Sequence, residues 1–204
     1  MEIVDNVKVY GLDESLVASG YPMRSKGFEE MGTPTEKDLN RARKLANTPI
    51  GEGHDNFLQG IVVQFDLSFT NKAWVEMQRY HFINFISSES TIHCITKFNL
   101  DERYIKYVDP DIIKIMKRKI AEYNSLSAMN QDDFSMETAK ELQRKYLEIL
   151  YSNPAGFIIT ARMTTNYRQL KTIYKQRKNH KLPEWRAFCL WVESLPHADL
   201  IVGE

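Results

Sequence analysis

Over residues 61–69 the chain alternates without a break. Ile61, Val63, Phe65, Leu67 and Phe69 point one way, and Val62, Gln64, Asp66 and Ser68 point the other. A period of two puts the first set on one face of a β-strand and the second set on the opposite face. This is a half-buried strand, and it cannot be stable unless other elements cover its apolar side. Thr70 or Asn71 can then cap a helix, because a short polar side chain accepts a bond from the backbone of the first turn. That helix is expected to run through Trp74, Met77 and Tyr80.

The other elements follow from their punctuation. Residues 7–10 suit a short strand. The stretch SGYPMRSKGFEEMG carries Gly, Pro and Ser and reads as a loop. Thr33-Pro34-Thr35-Glu36 has the form of a capping box, with Thr33 as N-cap and Pro34 in the first turn. A helix to about Asn47 should follow, and TPIGEGHDN breaks it. Residues 93–100 look like strand or extended chain. Asp109-Pro110 opens a charged amphipathic helix to about Asn124. Residues 125–134 read as loop and residues 135–151 as a further helix, stopped by Asn153-Pro154. A last helix carries Trp185, Phe188, Cys189 and Val192 at helical spacing.

Two segments carry unusual chemistry. VEMQRYHFINFISSES, residues 75–90, mixes aromatics with Arg79, His81, Asn84, Ser87, Ser88 and Glu89. Polar groups at that density inside an apolar stretch imply either a ligand pocket or a structural polar network. The second is a helix expected over residues 165–179. At about 100° per residue, Asn166, Leu170, Ile173 and Arg177 share one stripe. Burial of Leu170 and Ile173 would carry Asn166 and Arg177 toward the same interior. An arginine there needs an anionic or hydrogen-bonding partner, which could be a ligand or a carboxylate such as Glu184 or Asp199.

Composition narrows the field. Lys plus Arg number 27 and Asp plus Glu also number 27, for zero formal charge. That argues against broad attraction to nucleic acid or membrane, although the basic run KTIYKQRKNHK, which carries Tyr174, could contact RNA or DNA. No apolar run is long enough to span a bilayer, and MEIVDNVKVY is not built like a signal peptide. Two cysteines are too few for a disulfide scaffold. A cytoplasmic protein with buried thiols is expected. The histidines show no metal-binding spacing, and there is no glycine-rich phosphate loop.

With these pieces in place, the order of the chain resembles the flavin-dependent thymidylate synthases. VKVYGLDESLVASGYPMRSKGF is similar to the family's opening strand and loop, with Ser25 at a serine near the flavin. GHDNFLQGIVVQFDLSFTNKAW resembles the family's Gly-His-x-(Ser/Thr)-x-x-Glu-His segment and the strand after it. His54 matches the flavin-contacting His, Asn56 stands for the hydroxyl residue, Gln59 for the Glu and Gly60 for the second His. In RYHFINFISSE, Arg79 matches the first Arg of the Arg-His-Arg signature. Tyr80 and His81 replace its next two residues, and Glu89 takes the place of its Ser, flanked by Ser88 and Ser90. TNYRQLKTIYKQRKNHKLPEWR resembles the family's Asn-x-Arg-x-Leu helix, with Asn166, Arg177, Glu184 and Arg186 at matching positions. The family also has an arginine for the nucleotide phosphate ahead of this helix. The corresponding stretch EILYSNPAGFII contains none.

The resemblance implies an α+β fold, a single domain with an antiparallel sheet and flanking helices. It implies FAD as cofactor, with NADPH and methylenetetrahydrofolate as co-substrates, and a pyrimidine nucleotide such as dUMP as substrate. Ser25, His54, Asn56, Arg79 and Asn166 would contact the cofactor. Glu76, Ser88, Glu89 and Arg177 would contact the substrate, with Arg177 as the catalytic group. It also implies a homotetramer with sites built between subunits. Three readings stay open: an active one-carbon transferase, a nucleotide- or flavin-binding protein without turnover, and an interaction protein that kept only the scaffold.

Overall fold

A computed structural model describes residues 3–25, 31–49, 51–128 and 135–203. In chain order the elements are β1 (Val4–Tyr10), α1 (Leu12–Ala18), α2 (Glu36–Ala46), β2 (Val62–Thr70), α3 (Asn71–Met77), β3 (Asn84–Ser88) and α4 (Thr91–Cys94). They continue with α5 (Pro110–Ser127), α6 (Met136–Ser152), β4 (Ile158–Asn166), α7 (Tyr167–Arg177), α8 (Pro183–Glu193) and α9 (Asp199–Val202). The strands form one antiparallel sheet in the order β1-β2-β4-β3. The architecture is α+β.

β2 is the strand that the alternation demanded: Val63, Phe65, Leu67 and Phe69 are fully buried, and the residues between them are half-buried. β1 pairs with it antiparallel, and the register slips between Asp5 and Lys8. Asn6 sits in this bulge at φ +50, an uncommon backbone for any residue but glycine. The bulge is held because the Asn6 side chain donates to Asp66 at 2.6 Å and Arg162 donates to the Asn6 carbonyl at 2.7 Å.

The chain divides into two compact units. The first comprises residues 1–67, 77–87 and 161–204. Its core sets Phe65 against Phe188 and Trp191, with ring centroids 6.0 and 4.5 Å away, and Trp185 edge-on to Phe188. The second comprises residues 68–76 and 88–160. There Ile95, Leu100, Met116, Ile120 and Ile149 pack around Phe157, whose ring meets Tyr104 edge-on.

Several local expectations need correction. The helix after residue 33 begins at Glu36 with Thr35 as N-cap, and the capping box closes on Asp38. α3 stops at Met77 and does not continue through Tyr80. Residues 84–88 are a strand instead, with all five exposed, so they lack the alternation that marks a half-buried one. The stretch expected to be extended over residues 93–100 holds the end of α4 and a run of turns. The helix expected from Thr165 starts at Tyr167, because β4 runs up to Asn166. Cys189 is buried as expected, whereas Cys94 is half-buried. The expected loop at residues 125–134 gives up residues 125–127 to α5, and residues 129–134 lie outside the described ones, as do residues 26–30 of the N-terminal loop.

Candidate functional site

The candidate site lies in the first unit, where β4 hands over to α7. Asn166 closes the strand in an extended backbone (φ −137, ψ 167), and its side chain caps the helix by accepting the Gln169 N–H at 2.9 Å. Asn166 is thus a cap rather than a helical residue. The cap consumes its Oδ1, and its amide NH2 has no partner among the described residues. Leu170 and Ile173 are fully buried. They pin α7 so that Gln169, Thr172, Gln176 and Arg177 line an outer face.

Two hollows open on that face. One, of about 240 Å³, is lined by Gln59, Phe82, Asn166, Arg168, Gln169 and Thr172. The other, of about 420 Å³, is lined by Arg79, Tyr80, His81, Phe82, Gln169, Thr172, Gln176 and Arg177. They share Phe82, Gln169 and Thr172. The Phe82 carbonyl is anchored to β4 by the Thr165 hydroxyl at 2.9 Å. This answers the question raised by residues 75–90: residues 79–82 supply a pocket wall, and residues 84–88 supply a sheet edge.

Arg177 is half-buried and oriented from several sides. Its Nε donates to the Tyr80 hydroxyl at 2.8 Å, and that hydroxyl donates to Gln176 at 2.8 Å. Its Nη1 lies 2.8 Å from His180 Nε2. A guanidinium can only donate, so this contact requires a lone pair on Nε2 and places the imidazole proton on Nδ1. The Leu182 N–H lies 3.2 Å from Nδ1. A neutral ring cannot accept at both nitrogens, and the shorter, charge-assisted contact prevails. The guanidinium carbon also lies 4.7 Å from the Trp185 ring centroid and 5.5 Å from that of Tyr80. Asp199 pairs with Arg43 at 2.8 Å. Arg186 holds the turn ahead of α8 by donating to the His180 carbonyl at 2.6 Å. Glu184 is buried in the first turn of α8.

The remaining anticipated residues are placed as follows. Arg79 is exposed and makes no ion pair among the described residues. His54 and Asn56 are exposed at the start of a short 3-10 turn (Asn56–Gly60), and Asn56 accepts from Gln59 at 3.4 Å. Gln59 in turn lines the Asn166 hollow. Gly60, where the family carries a histidine, faces α1, and a Cβ there would lie 2.4 Å from Ser15 Oγ. Ser25 is exposed and lines neither hollow. Glu76, Ser88 and Glu89 belong to the second unit. The Glu89 carboxylate accepts from Arg103 at 2.7 and 2.8 Å and from the Thr160 N–H at 2.8 Å.

Sequence reasoning missed Asp55. It is buried, with Lys171 Nζ at 2.9 Å and Arg168 Nε at 3.2 Å. It fixes Arg168 at the rim of the Asn166 hollow. An acid in a Gly-rich loop gives no periodic signal; only the two cations three residues apart on α7 hint at a partner. Among the described residues, no group of three or more His, Cys, Asp or Glu is placed to hold a metal, and no helix is long and apolar enough to cross a membrane.

The fold is of one class, that of the flavin-dependent thymidylate synthases. No sequence-family model matches the chain, and no curated protein sequence does. Solved structures do match. The flavin-dependent thymidylate synthase ThyX of Helicobacter pylori, complexed with FAD and dUMP, is similar with a TM-score of 0.68 at 17% identity. A second structure of Helicobacter pylori thymidylate synthase X with FAD and dUMP gives 0.68 at 16% identity. Each match covers 99% of this chain and 98% of the other. At such identity the likeness establishes the fold.

Proposed function

We propose that this chain binds a pyrimidine deoxynucleotide such as dUMP in the Arg79–Arg177 hollow and a flavin, FAD, against the Asn166 hollow. One observation carries the reading: Arg79, from the turn after α3, and Asn166 and Arg177, from the two ends of α7, line two hollows with a shared wall. Their chemistry suits the ligands. The Asn166 amide and the terminal nitrogens of Arg168 are donors, as the polar edge or phosphates of a flavin require. The hollow is small enough to take one end of that cofactor and not the whole. His54 and Asn56 stand at the start of the 3-10 turn that carries Gln59, and Ser25 lies outside both hollows; completion of the flavin site by residues of other subunits accords with a cytoplasmic homotetramer.

A bound flavin would supply redox chemistry for one-carbon transfer, with NADPH and methylenetetrahydrofolate as co-substrates. The chain's own part is electrostatic. Tyr80, His180 and Trp185 hold the Arg177 guanidinium in one orientation, so it need not reorganise to meet negative charge on an activated pyrimidine. Arg79, without a competing acid, supplies charge for a phosphate that the missing family arginine would otherwise take.

A second reading is binding without turnover. Gly60 cannot act as the family's histidine, and the Glu89 carboxylate is already met by Arg103 and the Thr160 backbone. Glu76 and Ser88 would then also be substrate contacts in name only. Thermal melting with each ligand, followed by a turnover assay, separates the readings. Ligand at about a hundred times its dissociation constant raises stability by roughly 2.7 kcal/mol. Shifts with FAD and dUMP plus product formation support the enzyme. Shifts without product support the binder. A folded protein that shifts with neither refutes the proposal.

A further inference from the structure

The other face of α7 lines a separate hollow of about 420 Å³. Lys171, Tyr174, Lys175 and Lys178 form one wall, and the chain just after α2 and residues 201–203 form the others. Lys171 is spoken for: its ammonium donates to the Ala46 carbonyl at 2.5 Å and to Asp55 at 2.9 Å. Lys175 and Lys178 are both exposed, and neither meets a carboxylate among the described residues. The Lys178 ammonium sits 5.8 Å from the Tyr174 ring centroid.

The spacing makes this arrangement costly for the helix. Lys171 and Lys175 are four residues apart, Lys175 and Lys178 three, and like charges at those spacings repel. α7 contains Arg168, Lys171, Lys175 and Arg177 and no acid at all. A helix C-terminus favours cations in its last turn, but that does not require two of them to flank one hollow. Glu193 accepts the Tyr174 hydroxyl at 2.7 Å. That hydrogen bond, aided by burial, pushes the Tyr174 phenol up to about 12, so at neutral pH the ring adds no negative charge to the wall.

We propose that this hollow is an oxyanion site for a phosphate-bearing small molecule, gripped by Lys175 and Lys178 over the Tyr174 ring. Two unmatched ammoniums one helical turn apart suit a multiply charged group such as a diphosphate better than a monoanion. Lysine meets phosphate as a mobile point charge and needs no bidentate geometry. This site is independent of the Arg79–Arg177 hollow.

Calorimetric titration of the intact protein with inorganic diphosphate, and separately with ADP, tests it. The wild type should bind one equivalent, more weakly as salt is raised. The double variant Lys175→Ala/Lys178→Ala should bind about tenfold more weakly or worse. The variant Lys37→Ala/Lys181→Ala removes the same charge from exposed positions outside the hollow and should bind within about twofold of the wild type. Equal affinity for diphosphate and ADP assigns the phosphate group alone, and tighter ADP binding assigns a nucleotide. No saturable binding, or equal weakening in both double variants, overturns the proposal. Melting curves of the variants verify folding, since both pairs are surface residues.

Discussion

At the scale of single residues, Arg177 shows what a sequence can and cannot reveal. Its helical distance from Leu170 and Ile173 marked it as a cation held against apolar packing, and it is half-buried. Its partners were not legible, because Tyr80, His180 and Trp185 come from a turn and from two later points of the chain. Asp199, one anticipated partner, is met by Arg43 instead. Arg177→Ala therefore strands no Asp199 carboxylate. Loss of the hydrogen bonds to Tyr80 and His180 should by itself cost roughly 1–2 kcal/mol, while dUMP affinity falls by about ten- to a hundredfold. Arg177→Lys keeps the charge but cannot reach Tyr80 and His180 together, so it should recover stability more than affinity. Urea melts and dUMP titrations on the two variants read this out. Unchanged dUMP binding in Arg177→Ala would remove this residue from the site.

Elements were legible where burial is one-sided and the caps are conventional. β2 was plain because every inward residue is large and apolar. α5 and α6 were plain because Asp109 and Ser135 cap them, accepting from Asp111 and Thr138. β4 was missed because its inward positions include Ala161 and Thr165, too small or too polar to stand out. β3 was missed because none of it is buried. The cap of α2 was placed two residues early because Thr33 with Glu36 and Thr35 with Asp38 both set a hydroxyl three residues ahead of an acid, and only the second pair closes the box. In that box, hydrogen bonds from the Thr35 hydroxyl and N–H, then from Arg41, hold the Asp38 carboxyl down at about 2. A depressed carboxyl stabilises the fold fully above its ordinary value of 3.8. That contribution is lost as pH falls through about 2. Thr35→Ala should cost about 1 kcal/mol near neutral pH and raise the Asp38 value. The gap between wild type and variant should then narrow as pH is lowered toward 2. An NMR titration of Asp38 with acid-limb stability curves checks both. A gap that stays constant down to the acid limit would mean the carboxylate contributes nothing through the box.

At the scale of the whole molecule, the surface holds apolar residues that nothing in a single chain accounts for. β3 is an edge strand of the sheet. Phe85 and Ile86 within it are 44% and 52% exposed, and Phe82 just before it is 67% exposed. An edge strand leaves a row of backbone groups open to pairing, and proteins normally protect such edges with charge, proline or cover. Here the strand NFISS carries none of the first two. Contiguous exposed apolar surface of this kind marks an interaction site. The tetramer implied by the resemblance to flavin-dependent thymidylate synthases would supply cover. Light scattering at micromolar concentration should therefore give a mass about four times the 23.8 kDa chain. Ile86→Lys places a charge at an exposed position, where the isolated chain should tolerate it within about 0.5 kcal/mol. If β3 lies in the interface, the same change buries a lone cation there, and the variant should run as smaller species with its circular dichroism intact. A wild type of monomer mass would refute the assembly, and with it a flavin site completed by other subunits. A tetramer indifferent to Ile86→Lys would keep the assembly and move its interface away from β3.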